Sequence, residues 1–477
     1  MLFESLKQAL PILILLLAVW IVLSRLPKVD LGYSANFKNR RLWNWLPLGL
    51  SYAFLYMGRY NLTVSKNAFG DLMTNADFGT IFGIGTIVYG LAFVLNGPLT
   101  DKFGGRAAIL AATAGAALAN LSMGLVVYFG FTSHLVLTFS ILYALNMYFQ
   151  SFGAVAIVKV NAAWFNVRER GTFGGIFGIL ISLGLYFAYD WGGMIARTLP
   201  IQFVFFVPTT LLLVFCAICY RKVYDTPELA GLPAIETGDA NLNDIDASGK
   251  RMNALQVGKK MFSNPVIVTI AMVEFCSGFL RNAIMNWYII FAKQTGLMAV
   301  FVSQHWGLLL CCAGILGGVF AGTLSDKVFQ SRRGPVSAVL YGIMLIGGIA
   351  ATFMLRSEYL GWLVVFMSMA IIGVHGMLSG AASMDFGGRK NVGTAVGIID
   401  GMVYLGTAAE ALYYGKVLPN GDAAKNPDNW GAWPMAMIPI ALIGLFLTIR
   451  LWNAKPNYQA VARHEVKIPV TLASEEA

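Results

Sequence analysis

The sequence predicts an all-α polytopic membrane protein: two six-helix bundles, twelve spans in all, plus one extra N-terminal transmembrane helix. Three observations carry this. Of the 477 residues, 57% are hydrophobic and only 12% charged, with a mean hydropathy of +0.66; a soluble domain carries roughly twice that charge fraction. The charges collect in short loops between apolar runs. One loop pattern also occurs twice, as GPLTDKFGGR from Gly97 and GTLSDKVFQSRR from Gly322, each after the second span of its half. The net charge of +10 does not mark a nucleic-acid surface, because the cations lie in alternate loops, which is a topology signal.

The first apolar segment, Ala9–Leu23, follows Lys7 and precedes Arg25, Lys28, Lys38, Arg40 and Arg41, with no small-residue cleavage site. It reads as an anchor helix and not a signal peptide, so residues 1–45 are an anchor and a cytoplasmic linker. Twelve runs of about twenty residues follow: 46–65, 78–98, 107–129, 136–164, 172–192, 201–220, 265–291, 299–323, 335–355, 359–384, 391–413 and 432–452. The fourth is long for a span and should emerge from the membrane at its end. Loops holding Lys102 and Arg106, Arg168 and Arg170, Lys327, Arg332 and Arg333, and Arg389 and Lys390 alternate with cation-poor loops. That bias places the central connection and the C-terminus in the cytoplasm. Residues 221–264, polar through ETGDANLNDIDASGKR, form a flexible cytoplasmic linker between bundles 46–220 and 265–452, and 453–477 is a polar cytoplasmic tail. The five cysteines lie in apolar runs. The Cys216-x-x-Cys219 spacing has no second pair or histidine cluster near it, so it reads as packing and not as a metal site.

Two runs hold an arginine where the middle of the bilayer should be: Arg59 in SYAFLYMGRYNLTVS and Arg281 in the run Val266–Ala292. A guanidinium at that depth costs at least ~2.5 kcal/mol unless a water-filled cavity and an anionic partner compensate it. Arg59 lies 42 residues before Asp101, and Arg281 lies 45 before Asp326. The arginines therefore occupy equivalent places in two repeats, as expected of a transporter with related bundles around a midplane site.

The paired G-x-x-x-D-K loops, the two-by-six layout and the central linker resemble the major facilitator superfamily. Read physically, Asp101 and Asp326 near helix ends, with Lys102, Arg106 and Lys327 around them, form a latch that sets the balance of inward and outward states. A narrower resemblance covers most of the core. YMGRYN at Tyr56–Asn61 with Tyr89-Gly90, KVNAAWFNVRERG at Lys159–Gly171, FLRNAIMNW at Phe279–Trp287 and KNVGTAVG at Lys390–Gly397 look like four patches of organophosphate:phosphate antiporters. That resemblance implies that Arg59 and Arg281 grip phosphate, which suits the bidentate fork of a guanidinium. It also implies site roles for Lys159, Tyr89 and Tyr404. The chain departs from the family in having Tyr60 and Phe93 where lysines are common, Ala163 where the glycerol-3-phosphate exchanger has a histidine, and His375 where it has a tyrosine. The pocket has lost cations.

Among other polar residues, Asp400 stands alone in VGIIDGMVY and is expected to pair with Arg281 or Arg59, or to carry a coupling proton. Glu274 precedes Arg281 by seven residues and shares its helix face. His375 is placed to hydrogen-bond substrate or titrate. Tyr52 and Tyr56 share the Arg59 face by their spacing, which makes Tyr56 a pocket residue. Glycines such as those in GGIFG suit close helix packing, and none follows a strand as a nucleotide site requires. Asp190 and Trp191 read as an interfacial helix end.

The expectation is a secondary active transporter of organic phosphate anions, of the sugar-phosphate or glycerol-phosphate type, exchanged for inorganic phosphate by alternating access. It needs no cofactor or metal and no nucleic-acid partner, and it works as a monomer in the lipid bilayer of a bacterial inner membrane. The alternatives are a proton-coupled carboxylate symporter and a transporter-like sugar-phosphate sensor. An enzyme is disfavoured, since no nucleophile and base stand at workable spacing.

Overall fold

The computed structural model describes Leu17, Trp20 and residues 31–166, 169–235, 237, 256, 259, 262–329, 333–379 and 383–453. Twelve long helices run through them, with no strand among the described residues. They are α1 (Ala35–Phe69), α2 (Asn75–Phe103), α3 (Gly105–Tyr128), α4 (Leu135–Trp164), α5 (Arg170–Tyr186), α6 (Phe203–Lys222), α7 (Pro265–Met285), α8 (Trp306–Val328), α9 (Arg333–Phe353), α10 (Leu360–Met377), α11 (Ser383–Val417) and α12 (Ala432–Arg450). Among the described residues, nine helical segments are long and apolar enough by themselves to cross a bilayer. α1, α8 and α11 are the exceptions, and the apolar part of α8 is the shorter stretch Trp306–Gly322. The N-terminal anchor and most of the central linker lie outside the described residues, as does the tail from residue 454 on.

Several helices overrun or interrupt the expected spans, each for a local reason. α1 begins at a Ser34 cap, whose hydroxyl accepts the Phe37 N–H at 3.2 Å. Its basic first turns are satisfied by the loops they reach. Arg41 pairs with Glu169 at 2.9 Å, and Arg40 donates to the Lys222 carbonyl at 2.8 Å. At 35 residues α1 is about 52 Å long, well beyond a hydrocarbon core of about 30 Å. The fifth span passes from α5 into a π-helical stretch, Phe187–Trp191, and ends in a short helix, Gly192–Thr198. The seventh breaks at Asn286 and resumes as Trp287–Gln294.

Within the first six helices, α4 packs on α3 and α2, and α1 on α5 and α6; within the last six, α7 packs on α11 and α12, and α8 on α10. Two seams join these bundles, α2 against α11 and α5 against α8. Glycine makes the first seam possible. A methyl group at Gly90 would stand 2.8 Å from the Gly401 carbonyl oxygen, and one at Gly397 would stand 2.6 Å from that of Phe93. This is small-residue packing between spans, which lets backbones approach closely.

The bundles are also tied at the end where α1 and α7 finish. Asn75 receives the Asn420 side chain on its N–H at 2.7 Å and donates to the Pro419 carbonyl at 2.7 Å. Thr63 and Tyr189 both donate to the Asn286 side-chain oxygen at 2.9 Å. Asp190, read from the sequence as interfacial, turns inward instead. Its carboxylate accepts the N–H groups of Gly307 at 2.8 Å and Leu308 at 3.0 Å, in the first turn of α8. The π-helical stretch carries it to that position.

Candidate substrate-binding site

Arg59 lies in the middle of α1 and is 1% exposed. Its Nε donates to Gln150 at 3.0 Å, one terminal nitrogen to the Tyr404 hydroxyl at 2.9 Å and the other to the Tyr89 hydroxyl at 2.5 Å. The rings of Tyr56 and Tyr89 lie 4.7 and 4.5 Å from its guanidinium carbon. Every partner is neutral. Behind Gln150 a buried amide chain continues through Asn146, Asn120 and Asn61, at 3.0, 3.1 and 2.7 Å. That chain fixes the acceptor that orients Arg59 and leaves the guanidinium facing the other bundle.

Arg281, near the end of α7 and midway along the broken seventh span Pro265–Gln294, is 5% exposed, and its Nε has no hydrogen-bond partner among the described residues. Tyr404 stands between the arginines. Its ring centre is 5.6 Å from the Arg59 guanidinium carbon and 6.0 Å from that of Arg281. The levels of the helices agree with this. Thr63 meets Asn286 across the bundles, so Arg59, four residues earlier, is level with Asn282, next to Arg281. Two buried guanidinium groups thus lie either side of Tyr404, with no carboxylate bonded to either among the described residues.

A second layer lies toward the starts of α1, α7 and α11. These last two helices run parallel, with Asn282 bonded to Thr407 at 2.8 Å, which puts Glu274 level with Asp400. Glu274 is fully buried; one oxygen meets His375 of α10 at 2.9 Å, and the other lies beside the Ser277 hydroxyl without a hydrogen bond of good geometry among the described residues. Asp400 accepts the Ser379 hydroxyl. The expected pairing of Asp400 with an arginine is not found. Asp400 sits one turn away from the Tyr404 level, and three of Arg59's donors are already taken. His375 likewise meets Glu274 and bonds neither arginine.

Lys159 is also placed differently from the expectation. It lies nine residues beyond Gln150 on α4, about 13 Å along the helix from the arginine layer, and bonds Asp101 at 2.8 Å. With Lys102 and Asp225 the two line a cavity of about 350 Å³ at the end of α2. Lys159 therefore belongs with the loop that the latch reading singled out. Arg106 does not bond Asp101 but reaches the Tyr220 carbonyl, while its N–H donates to Asp225 at 2.8 Å. The side chains of Asp326 and Lys327 lie outside the described residues. The five cysteines are free thiols.

Sequence reasoning missed Gln150, Asn286 and Asp190. A signal existed for the first two. Asn146 and Gln150, and Asn282 and Asn286, are amide pairs four residues apart in apolar runs, hence on one face. Nothing local pointed to Asp190, whose partners are over a hundred residues away.

The chain matches the Major Facilitator Superfamily over residues 48–409. It belongs to that superfamily. This facilitator's family and fold are those of membrane transporters and not of enzymes, and it is a multi-pass integral membrane protein. A probable hexose phosphate transport protein of Chlamydia pneumoniae is 24% identical over 447 residues, 88% of this chain and 92% of that protein. The glycerol-3-phosphate transporter of Bacillus subtilis is 23% identical, covering 89% and 95%. The membrane sensor protein UhpC of Escherichia coli is 24% identical, covering 90% and 95%. These are the organophosphate relatives that the four sequence patches resemble. Among solved structures, a bacterial homologue of the human lysosomal transporter Spinster, inward-facing and unoccupied, aligns with a TM-score of 0.65 at 12% identity, over 88% of this chain and 97% of that one. At that identity the likeness speaks for the fold alone.

Proposed function

We propose that this facilitator carries an organic phosphate of the sugar-phosphate or glycerol-phosphate kind in exchange for inorganic phosphate, with Arg59 and Arg281 as the anion clamp. The observation that carries the reading is the pair of buried guanidinium groups without a bonded carboxylate, one of them with an Nε that has no partner among the described residues. A planar guanidinium binds phosphate oxygens bidentately, and two from opposite bundles can hold one anion between them. Tyr56, Tyr89 and Tyr404 complete the wall of that layer. The names of the relatives, transporters of hexose phosphate and glycerol 3-phosphate, support the same class.

In this reading bundles 46–220 and 265–452 rock about the clamp. Bound anion offsets the repulsion of the two cations, so the loaded carrier crosses over and the empty one does so poorly, which makes exchange obligatory. The protein works as a monomer in a bacterial inner membrane, with its C-terminus in the cytoplasm, as the loop charges indicate. Asp101 with Lys102 and Lys159, at the end of α2, acts as a latch between states.

The test is phosphate uptake into phosphate-loaded proteoliposomes. Wild type should exchange, and Arg59→Lys and Arg281→Lys should lose most of the activity, because a point charge does not reproduce the fork. Absence of exchange by folded wild type would sink the reading. A second reading, a proton-coupled organic-anion symporter, is favoured by the Glu274–His375 pair beside the site. Uptake driven by a pH gradient into vesicles free of internal phosphate would select it.

A further inference from the structure

We infer that the site takes a zwitterion: a phosphate or phosphonate whose organic part carries an ammonium group, phosphate in the arginine layer and ammonium in the acid layer. The inference rests on the anion clamp proposed above and adds the identity of the other end of the substrate.

The first support is charge balance. Arg59 and Arg281 supply two positive charges, while Glu274 and Asp400, level with each other on α7 and α11, supply two negative ones when ionised. Among the described residues no lysine or arginine bonds either carboxylate; Glu274 meets His375 and lies beside the Ser277 hydroxyl, and Asp400 meets Ser379. A site built for a plain phosphate dianion gains nothing from two acids near its clamp, since like charges oppose binding. Separated poles of opposite sign match a ligand that carries both charges.

The second support is an unsatisfied group. One oxygen of Glu274 and the Ser277 hydroxyl beside it are both buried with no hydrogen bond of good geometry among the described residues, and a native interior rarely leaves such groups unmet. An ammonium N–H donor would supply the missing bond. The third support is the wall. Tyr52 and Tyr56 lie edge to face at 5.4 Å on α1, and Phe93 stacks on Tyr404 at 5.7 Å. Aromatic faces attract ammonium and quaternary ammonium groups.

Dimensions fit a short linker. Glu274 precedes Arg281 by two turns, about 10 Å along the axis, and both side chains are long enough to close part of that span. Asp400 is one turn, about 6 Å, from the Tyr404 level that meets both arginines. A chain of two or three carbons between phosphorus and nitrogen bridges the layers.

Equilibrium binding to the purified full-length protein in detergent tests this with three probes: inorganic phosphate, ethyl phosphate and 2-aminoethyl phosphate. Wild type should bind the amino ester about tenfold or more tightly than ethyl phosphate, the size expected of one charge-assisted contact. Glu274→Gln and Asp400→Asn should each bring that ratio close to one. Equal binding of both esters by wild type, which depends on no variant folding, overturns the inference and leaves the clamp standing if inorganic phosphate still binds. A ratio unchanged in both variants overturns it as well. If the acids instead carry a proton, neutralising them would tighten ethyl phosphate while wild type shows no amine preference. Failure of inorganic phosphate to bind would overturn the clamp itself.

Discussion

Arg59 and Arg281 are opposites in how they are held. Arg59 is braced by three hydrogen bonds and a buried amide chain, while Arg281 has an Nε without a partner among the described residues. Removing a brace should therefore loosen the clamp from the Arg59 side. A hydrogen bond to a charged group contributes about 1.5–3 kcal/mol, so Tyr404→Phe is expected to weaken phosphate binding by about tenfold or more, read by calorimetry. Gln150→Leu should cost more than Tyr404→Phe, because it orphans Arg59 Nε and removes one of the two donors to the Asn146 oxygen. A melting curve separates lost affinity from lost fold. The two arginines were legible in the sequence because a charge inside an apolar run is costly wherever it ends up. Their partners were less so. Asp400 and Lys159 are ionisable types and looked like site residues, yet which group meets which depends on helix depth, and a few residues of offset moved Lys159 to the Asp101 end. Gln150 has no charge, and its role comes only from where α4 crosses α1.

Helix by helix, the spans follow hydropathy in the middle and local chemistry at the ends. The α1 boundary moved outward because Arg40 and Arg41 find partners beyond the apolar slab. The seventh span broke because Asn286 uses its side chain to bind α1 and the fifth span. Neither partner is near in sequence, so neither change was visible there. The α2–α11 seam was foreshadowed by glycine content, though not by which helices would meet. It gives a prediction at this scale. Gly90→Leu places a branched side chain against the Gly401 carbonyl, and overpacking of this kind costs about 1–3 kcal/mol. Folded protein should still be recovered, with exchange reduced and the distance between spin labels on α2 and α11 increased. Asp101→Asn removes the ion pair with Lys159, which is partly exposed. A pair in that setting contributes about 1 kcal/mol or less, so turnover should change by a factor of a few while substrate affinity stays near wild type.

For the molecule as a whole, the hydrogen bonds that join the bundles among the described residues run from the Arg59 level to the end where α1 and α7 finish. Alternating access requires that end to part. Joining it covalently should stop transport without unfolding anything. An Asn75→Cys, Asn420→Cys double variant bridged by a short bifunctional thiol reagent is expected to lose exchange, and a cleavable bridge should restore it on reduction. The five native thiols are buried or half-buried, so a cysteine-free background is a control and not a necessity. The Asp190 contact has a further consequence for the energetics of the cycle. It is a helix cap lent by one bundle to the other, and a cap contributes about 0.5–2 kcal/mol. Parting that end leaves the first turn of α8 uncapped whether or not substrate is bound. Because the penalty is common to the empty and loaded carriers, it shifts where both of them rest, by roughly a factor of 2 to 30, and leaves their ratio untouched. Asp190→Ala should thus change which face of the membrane a resting carrier presents while exchange stays as strict as before.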